Sequence, residues 1–346
     1  MARSKTGIRD VAKRAGVSVT TVSHVLNETP HTRVKDETVD RVRAAAKELG
    51  YRPNRLAQGL RTHASGMIGL VAEEIAATPH AGRILLGAQK RADADGLALA
   101  IINSDLQVEP FIPPRSVHAF LDRQVDGIVY ATVYHDEVVA PPIMRGVPAV
   151  LIGARDRDGS IPSVLPDERT GAADVVRMLI EHGHRRIAFV GSSDDIPATR
   201  GRVSGYRDAM AAAEMADEAR VVDDTSDAAG GYRAAVELLD SQDSPTALFC
   251  YDDRMAMGAY RAAAERGLRI PDDVSIVGFD DQAPLPTSMY PALTTVALPH
   301  YEMGEWAVET LTALLGAGGA EVEPSSPMLM PCPVIVRDSV GPPRDE

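Results

Sequence analysis

The first fifty residues repeat apolar positions with the period of an α-helix, in three short stretches. In the first stretch the apolar positions at helical spacing are Ile8, Val11, Ala12 and Ala15. Gly16 follows as a residue type that commonly ends a helix, and Ser18 is a suitable N-cap for a second helix that continues to Asn27. A third stretch predicts a helix over about residues 36–49, again followed by glycine. Three short helices of this kind, the first two joined only by a two-residue turn, can close a small core of their own.

The segment after these helices, residues 51–61, predicts one further helix of about eight residues. Pro53 interrupts the preceding pattern, and Asn54 can cap a new helix. Isolated helices shorter than about 12 residues are unstable in water, and Gly59 in the interior costs about another 1 kcal/mol relative to alanine. We therefore expect this helix to form only when another group holds it.

From residue 66 onward, short runs rich in valine, isoleucine and leucine alternate with helical stretches. The runs are MIGLVA, LALAII, DGIVYA, PAVLIG, RRIAFVG, ALFCYD and SIVGFDD. Such continuous apolar runs are typical of parallel strands buried on both faces, with the intervening helices packed against the sheet. Because the unit repeats on both sides of Leu165, the pattern predicts an α/β core of two similar lobes over residues 66–340. An all-α headpiece (1–50) and a linker (51–65) precede this core, and a short tail (341–346) follows it.

Charge is divided unevenly between these parts. Residues 1–64 contain 13 Lys+Arg and 6 Asp+Glu, a net charge of +7, whereas the remainder carries −20 and the whole chain −13. A basic head on an acidic body indicates that the head binds a polyanion, while the body stays soluble and repels non-specific contact with DNA. The alternative is an unevenly charged surface without a function.

Several classes of protein are disfavoured by what the sequence contains. Cys250 and Cys332 have no metal-ligand spacing, so we expect neither a disulfide framework nor a metal site. The N-terminus MARSKTGIRD is not a signal peptide, and no apolar run approaches the roughly 18 residues of a membrane span. We therefore expect a cytoplasmic protein without membrane contact; a periplasmic binding protein would need a signal peptide and no headpiece.

An enzyme is the other alternative, since two carboxylates in a cleft could act as acid and base. The sequence contains neither a phosphate-binding GxxxxGK[ST] motif nor a zinc-binding HExxH motif. His182 and His184 flank a glycine before a strand, which favours a turn over a metal site. We expect no catalytic residues and no cofactor.

Two short helices joined by a tight glycine-containing turn are typical of a helix-turn-helix, whose second helix enters the major groove of DNA. The polar residues of the second helix and its cap are Ser18, Thr20, Thr21, Ser23, His24 and Asn27. Hydroxyls bind phosphates or base edges, a threonine methyl can contact a thymine methyl, and an imidazole can donate to guanine. We expect these residues to contact double-stranded DNA; the alternative is an ordinary solvated helix face.

Motifs along almost the entire chain resemble those of the LacI/GalR family of bacterial transcription regulators. In order, the motifs are IRDVAKRAGVSVTTVSHVLN, YRPNRLAQGLR, QVDGIVY, VPAVLIG, EHGHRRIAFVG, RVSGY, YDDRMAMGA, VSIVGFDD and LTTVA. Their order, rather than any one of them, carries the resemblance. It implies a core like that of periplasmic binding proteins, and a regulator, most simply a repressor, whose binding to operator DNA is controlled by a small molecule between the lobes.

The resemblance also implies a role for the segment after Pro53, as a hinge helix that enters the minor groove paired with its copy in a homodimer. Leu60 would be pushed between base steps, which unstacks them and bends the duplex. Arg55 and Ala57 are assigned to the same contact with DNA. The alternative for Leu60 is a linker residue covered by the core.

Two headpiece residues depart from the commonest family pattern. His24 stands where many members have arginine and is shared with the purine-repressor-like subset. Lys35 stands where a serine usually caps the third helix, a loss of about 1 kcal/mol that Asp36 can partly offset at the helix dipole. These departures affect the operator sequence rather than DNA binding itself.

In the core, acidic pairs follow two predicted strands, at residues 252–253 and 280–281. Ligands of open α/β sheets bind at the carboxyl ends of the strands. Arg202 begins a helical region after another strand, and its guanidinium can hold paired hydroxyls, a carboxylate or a phosphate. The resemblance implies that Arg202, Asp252 and Asp280 bind the effector, with Asp252 standing where the family commonly has asparagine. The alternative is that these charges cap helices or bridge the lobes.

The nature of the effector follows from the same residues. Donors on Arg202 and acceptors on Asp280 match vicinal hydroxyls, as in a sugar or nucleoside. A free purine base would need a stacking ring, and residues 196–199 and 223–228 contain none. Two half-sites one helical turn apart require two symmetric recognition helices, so we expect a homodimer on a palindromic operator. Whether the effector releases or tightens DNA binding stays open.

Overall fold

The computed structural model describes residues 7–26, 34–51, 64–74, 82–105, 111–133, 135–144, 146–317 and 326–344. The chain divides into two compact units, residues 1–66 and 67–346, which we call the headpiece and the core. Within the described ranges, none of the helices combines the length and the apolar character needed to cross a membrane.

The described part of the headpiece consists of three helices, α1 (Ile8–Ala15), α2 (Val19–Leu26) and α3 (Asp36–Glu48). All three were expected from the apolar periodicity. Their buried faces form one cluster that contains Val11, Ala12, Ala15, Val22, Val25, Val42, Ala45 and Ala46. Val39 and Leu49 are half-buried and pack against that cluster.

The turn between α1 and α2 depends on Gly16. Its φ of 68° lies in the left-handed region, and Val17 N donates to Ala12 O at 3.1 Å behind it. A residue with a Cβ pays about 1–2 kcal/mol for this conformation, which explains the glycine. Ser18 then caps α2, because Thr21 N donates to its Oγ at 3.0 Å. Lys35, at the N-cap of α3, makes no capping bond through its side chain.

The core contains a six-stranded parallel sheet in the order β13-β7-β5-β3-β1-β2, which we call the first lobe together with its helices. Its strands are β1 (Met67–Glu73), β2 (Ala98–Ser104), β3 (Gly127–Ala131), β5 (Ala149–Ile152), β7 (Ser163–Pro166) and β13 (Met328–Met330). One face packs on α4 (Gly82–Ala94) and α11 (His300–Gly316), and the other on α5 (Pro114–Leu121). Two short strands, β4 (Glu137–Val138) and β6 (Arg155–Asp156), pair beside it.

A second parallel sheet, in the order β11-β10-β8-β9, forms the second lobe. Its strands are β8 (Ile187–Ser192), β9 (Arg220–Asp224), β10 (Ala247–Cys250) and β11 (Ser275–Val277). The helices of this lobe are α6 (Glu168–Glu181), α7 (Pro197–Ala212), α8 (Ala228–Leu239), α9 (Asp253–Glu265) and the short α10 (Leu285–Ser288). An antiparallel pair completes it, β12 (Thr295–Val296) with β14 (Val334–Ile335).

Three described segments connect the two lobes, near residues 166–167, 298–300 and 330–332. Two of them are bonded to each other, since Asp167 N donates to Met330 O at 2.9 Å. Because the connections leave from the carboxyl ends of strands, the loops after the strands of both sheets face one shared space.

The predicted fold class, a helical headpiece with a two-lobed α/β core, is confirmed. Each of the seven apolar runs contains a strand of one of the parallel sheets. The linker assigned to the minor groove falls on residues 52–63, which lie outside the described residues, as does Asn27. The roles assigned to Asn27, Arg55, Ala57 and Leu60 therefore stay predictions.

Candidate functional site

The polar face of α2 is accessible. Ser18 and Thr20 are exposed, while Thr21, Ser23 and His24 are half-buried. The opposite side of the helix carries the valines of the headpiece cluster. The helix thus turns its apolar side inward and leaves hydroxyls and one imidazole on the outside, as a major-groove reader requires.

Two of these hydroxyls also hold the start of the helix. Ser18 Oγ accepts from Thr21 N and shares a hydrogen bond with Thr21 Oγ1 at 2.9 Å. The two side chains therefore have fixed positions before any DNA arrives. Rigid placement of polar groups on a helix lowers the entropy lost on binding.

The described part of the headpiece also exposes its basic side chains. The described lysines and arginines of the headpiece are all exposed, namely Arg9, Lys13, Arg14, Lys35, Arg41, Arg43 and Lys47. Arg14 pairs with Glu48 at 2.7 Å and Arg41 with Glu37 at 3.5 Å, both at exposed positions where ion pairs are weak. Such charges are available to phosphates, and their neutralisation by DNA would release counterions.

The core contains a cleft of about 810 Å³ between its two lobes. It lies at the carboxyl ends of the strands, since Thr132, Gly153, Asp194, Thr225 and Tyr251 all line it and each follows a strand. The first lobe contributes mainly apolar groups, including Ile84, Val133, Leu165, Met303 and Leu329. The second lobe contributes most of the charged groups.

Arg202, on α7, is the central cation of the cleft and is only 3% exposed. Its Nε donates to Glu168 Oε2 at 2.6 Å, Nη2 to Asp280 Oδ1 at 2.8 Å, and Nη1 to the carbonyl of Tyr251 at 2.5 Å. The guanidinium also stacks on Phe279, 3.9 Å from the ring centre, and on Tyr251. Burial alone lowers the pKa of this group, but the facing carboxylates outweigh burial and hold the pKa well above its usual value.

Asp280 is held in a strained conformation. Its φ is 101°, and its backbone N donates to Val296 O at 2.8 Å. The loop after it is fixed by a second buried carboxylate, because Asp253 accepts from Gln282 N at 2.7 Å and from Thr295 Oγ1 at 2.6 Å. The surrounding structure thus imposes the position of Asp280, as is common at ligand-binding sites.

Asp253 has two uncharged hydrogen-bond partners, the backbone N–H of Gln282 and the hydroxyl of Thr295. Burial, and next the negative charge of Asp280, raise its pKa to about 8. A raised pKa favours the protonated carboxyl near neutral pH, and on protonation the bond to Thr295 reverses, because the carboxyl hydroxyl then donates to Thr295 Oγ1.

Asp252 has the geometry of a helix cap. Its Oδ1 accepts from Met255 N at 2.7 Å at the start of α9, and its Oδ2 accepts from Ser226 Oγ and from Arg254 Nη2, both at 2.9 Å. This matches the capping alternative left open by the sequence. The second oxygen nevertheless lies in the cleft wall together with Arg254.

All three cleft residues predicted from the sequence, Arg202, Asp252 and Asp280, line the cleft. Whether they contact an effector stays a prediction. Arg202 and Asp280 are bonded to each other rather than offered separately, so the expected open fork of guanidinium donors is not present.

Sequence reasoning missed three features of the cleft. Glu168, the first residue of α6, contacts Arg202, and the ring of Tyr251 lies in the wall beneath the guanidinium. Asp136 and Arg200 form an ion pair between the lobes. Glu168 follows the strand SVLP as the two acidic pairs follow theirs, but that short strand was not among the predicted ones, so the position of Glu168 was not apparent.

Comparison with protein families gives two matches. The family described as "Bacterial regulatory proteins, lacI family" matches residues 7–54, and "Periplasmic binding protein-like domain" matches residues 176–340. The transcriptional regulator RegA of Clostridium saccharobutylicum is 34% identical over 313 residues, 90% of this chain and 92% of its own. The transcriptional repressor PurR of Erwinia tasmaniensis is 36% identical over 310 residues, 88% of this chain and 89% of its own.

Solved structures give the same picture. The lac repressor dimer bound to operator and the anti-inducer ONPF superposes with a TM-score of 0.76 at 26% identity, covering 98% of this chain and 100% of that one. The transcriptional regulator CelR in complex with cellobiose has a TM-score of 0.63 at 28% identity, covering 96% and 99%. All four relatives are transcription regulators, and none is an enzyme.

Proposed function

Since the chain belongs to the LacI family of bacterial DNA-binding transcription regulators, we propose that it is a repressor that binds a palindromic operator as a homodimer and responds to a small polyhydroxylated effector. We place the protein in the cytoplasm, where bacterial DNA lies. The observation that carries this proposal is the combination, in one chain, of an accessible helix-turn-helix with a polar cleft between two lobes.

For DNA binding, we assign base reading to the outer face of α2. Thr20 and His24 face outward, and His24 can donate to a guanine acceptor in the major groove. In the minor groove, Arg55 would bind phosphate, Ala57 would approach the duplex and Leu60 would act as the wedge. The exposed basic side chains of the headpiece support a strong dependence of affinity on salt.

A homodimer follows from the geometry of a palindrome, and exposed apolar groups support it. Leu86 on α4 is 50% exposed, and Ile101 on the edge strand β2 is 44% exposed. Large exposed apolar side chains on an edge strand are a liability for a monomer and are commonly covered by a partner. The related lac repressor crystallised on its operator as a dimer.

For the effector, we infer a sugar or nucleoside held in the cleft rather than a free purine base. The volume of about 810 Å³ lies within the range of small-molecule sites, roughly 300–1,000 Å³. The ring of Tyr251 in the wall is occupied on one side by the guanidinium of Arg202, 4.6 Å from the ring centre. A flat base would have to compete with the guanidinium for the face of the Tyr251 ring. Hydroxyls can instead bond to the carboxylates of Glu168 and Asp280, which surround the guanidinium. The related regulator CelR was solved with cellobiose.

The proposed sequence-specific DNA binding is tested by selecting, with the full-length protein, the duplexes that it binds from a random pool. We expect enrichment of a palindrome, and we expect His24→Ala to change base preference at one position per half-site by about 1–3 kcal/mol. Arg55→Ala should instead weaken binding to every sequence alike. Recovery of no common sequence, or equal affinity for selected and random duplexes, would overturn the proposal.

The effector is tested by thermal shift, since a ligand that binds only the native state raises Tm. Sugars, nucleosides, hypoxanthine and guanine form the panel, and hits are checked by their effect on operator binding. Micromolar binding of hypoxanthine or guanine would overturn the effector class and leave DNA binding untouched.

A further inference from the structure

The central cation of the cleft, Arg202, has at most one N–H donor left for an anion. Three of its nitrogens donate to Glu168, Asp280 and Tyr251, and Nη2 lies a further 3.4 Å from Glu168 Oε1. A guanidinium has five N–H donors in a fixed plane, so one at most lies outside these bonds. A ligand therefore meets Arg202 through the carboxylates that surround it.

The rest of the cleft wall is acidic. Its carboxylates are Asp136, Asp167, Glu168, Asp194, Asp227, Asp252 and Asp280, and its arginines are Arg169, Arg202 and Arg254. Each of these arginines is already paired. Arg169 bonds to Asp208 at 2.5 Å, and Arg254 bonds to Asp252 at 2.9 Å. Carboxylates only accept hydrogen bonds when ionised, so the wall favours ligands that donate.

Glu168 adds to this bias at the cation itself, because Asp280 alone would balance the charge of Arg202. Its carboxylate lies in the wall, 13% exposed, against a guanidinium that is buried. A phosphate or carboxylate on a ligand would have to displace it from Nε at 2.6 Å or remain beside it as a like charge. Like charges brought together in a poorly solvated site repel strongly.

We propose that Glu168 makes the cleft reject anionic ligands, so that the effector is an uncharged, donor-presenting polyol rather than a phosphorylated or carboxylated one. This inference rests on the proposed function and narrows its ligand class. It excludes sugar phosphates and nucleotides while it retains free sugars and nucleosides.

The test uses inorganic phosphate as the probe on full-length protein, with Tm measured against sodium chloride at equal ionic strength. Glu168→Ala removes the charge and opens space beside the guanidinium, whereas Glu168→Gln removes the charge and keeps the space filled. Asp240→Asn is the control, since it removes one negative charge from an exposed carboxylate that pairs with the half-buried Arg266 outside the cleft. The double variant Glu168→Ala with Arg202→Ala shows whether phosphate binds at the guanidinium.

We expect phosphate to stabilise Glu168→Ala with an apparent Kd at least about tenfold lower than in the wild type. The increase in affinity for phosphate should be smaller in Glu168→Gln. The wild type and Asp240→Asn should respond to phosphate and chloride alike, and the double variant should lose the gain. Selective stabilisation of the wild type by phosphate, or no gain in Glu168→Ala, would overturn the proposal. Because no DNA is present, failure here is distinguishable from failure of operator selection.

Discussion

The headpiece and the core use charge in opposite ways. In the headpiece, the described basic side chains are exposed, and the ion pairs among them, such as Arg14 with Glu48, lie at the surface. In the core, Arg202 is buried and bonded on several sides before any ligand arrives. In the headpiece the charged groups are accessible to a partner, whereas in the cleft the cation is already bonded to neighbouring groups. This contrast is the reason for proposing a polyanion as the partner of the headpiece and an uncharged molecule as the ligand of the cleft.

The two regions also differ in how their sites are assembled. The described headpiece residues that we propose to contact DNA lie within one helix and its cap, so their positions depend on local structure. The cleft brings together Asp136, Glu168, Arg202 and Asp280 from both lobes, so their positions depend on the packing of the whole core. We therefore expect substitutions in the cleft to cost more stability than substitutions on α2.

The largest effect is expected for Arg202→Ala. Removal of the guanidinium leaves Glu168 and Asp280 facing each other in a buried site, which should destabilise the core by about 3–5 kcal/mol. The single tryptophan, Trp306, lies in the first lobe and reports core unfolding by fluorescence in urea. The effector response should disappear, while operator binding should persist under conditions in which the core stays folded.

Arg261→Ala is the matched control for this prediction. It removes an arginine that pairs with Glu265 on the surface of the same lobe, where both side chains are well exposed. Such a pair is worth up to about 1 kcal/mol. Equal destabilisation by the two variants would contradict the view that Arg202 contributes more to the stability of the core than Arg261 does.

The same contrast explains how far the sequence could predict the molecule. Periodicity predicted α1, α2 and α3, and the apolar runs predicted the central strands, because both signals are local. These two signals did not reveal β9, at a sheet edge, because its sequence RVVDD contains only two apolar residues. They also did not reveal the short strands β7 and β13. A strand of three or four residues leaves too few positions to show a period.

The cleft was harder to predict for a different reason. A carboxylate after a strand can cap the next helix or face a ligand, and Asp252 was ambiguous because both roles require the same position. Its bond to Met255 N resolves the cap only once the backbone is known. The bond between Arg202 and Glu168 joins residues 34 positions apart on two helices, which no local pattern contains.

The next effect concerns pH and Asp253. Its folded pKa is raised to about 8, against about 3.9 when unfolded, so the folded state holds a proton that the unfolded state releases. The stability from this group is complete below about pH 4 and is lost as the pH rises towards 8. Asp253→Asn keeps an acceptor for Gln282 N and a donor for Thr295 without a charge. We expect the free energy of unfolding of Asp253→Asn at pH 8 to exceed that of the wild type by at least roughly 2 kcal/mol, since a shift of one pKa unit corresponds to about 1.4 kcal/mol.

Urea unfolding followed by Trp306 at pH 5 and pH 8 measures this difference, which should be small at the lower pH. Asp273→Asn is a control of opposite sign. The Arg269 backbone N–H, and next its side chain, lower the pKa of Asp273, so its stabilisation is present at neutral pH and lost on acidification. An Asp253→Asn variant that is less stable than the wild type at both pH values would show that the buried carboxyl is not protonated as described.

A smaller effect is expected in the headpiece for Gly16→Ala. The left-handed φ of 68° should cost alanine about 1–2 kcal/mol, although no atom lies within 4 Å of the added Cβ. Gly82→Ala is the control, because its Cβ also meets nothing and its backbone is helical. Hydrogen exchange followed by mass spectrometry should show faster exchange in α1 and α2 of Gly16→Ala, with α4 and α11 unchanged. Slower or unaltered exchange in the headpiece would contradict the role of the turn.

The smallest effect separates the two tasks of Ser18, which caps α2 and also lies on the face assigned to DNA. Ser18→Ala leaves Thr21 N without its acceptor and should destabilise the headpiece by about 1 kcal/mol. Ser18→Asp restores the acceptor and adds a favourable charge at the helix N-terminus, so its hydrogen exchange in α2 should match that of the wild type. On DNA the order should reverse, because the added carboxylate repels phosphates while alanine does not. Operator affinity measured by fluorescence anisotropy should therefore fall further for Ser18→Asp than for Ser18→Ala, and equal losses in both variants would mean that Ser18 serves the helix alone.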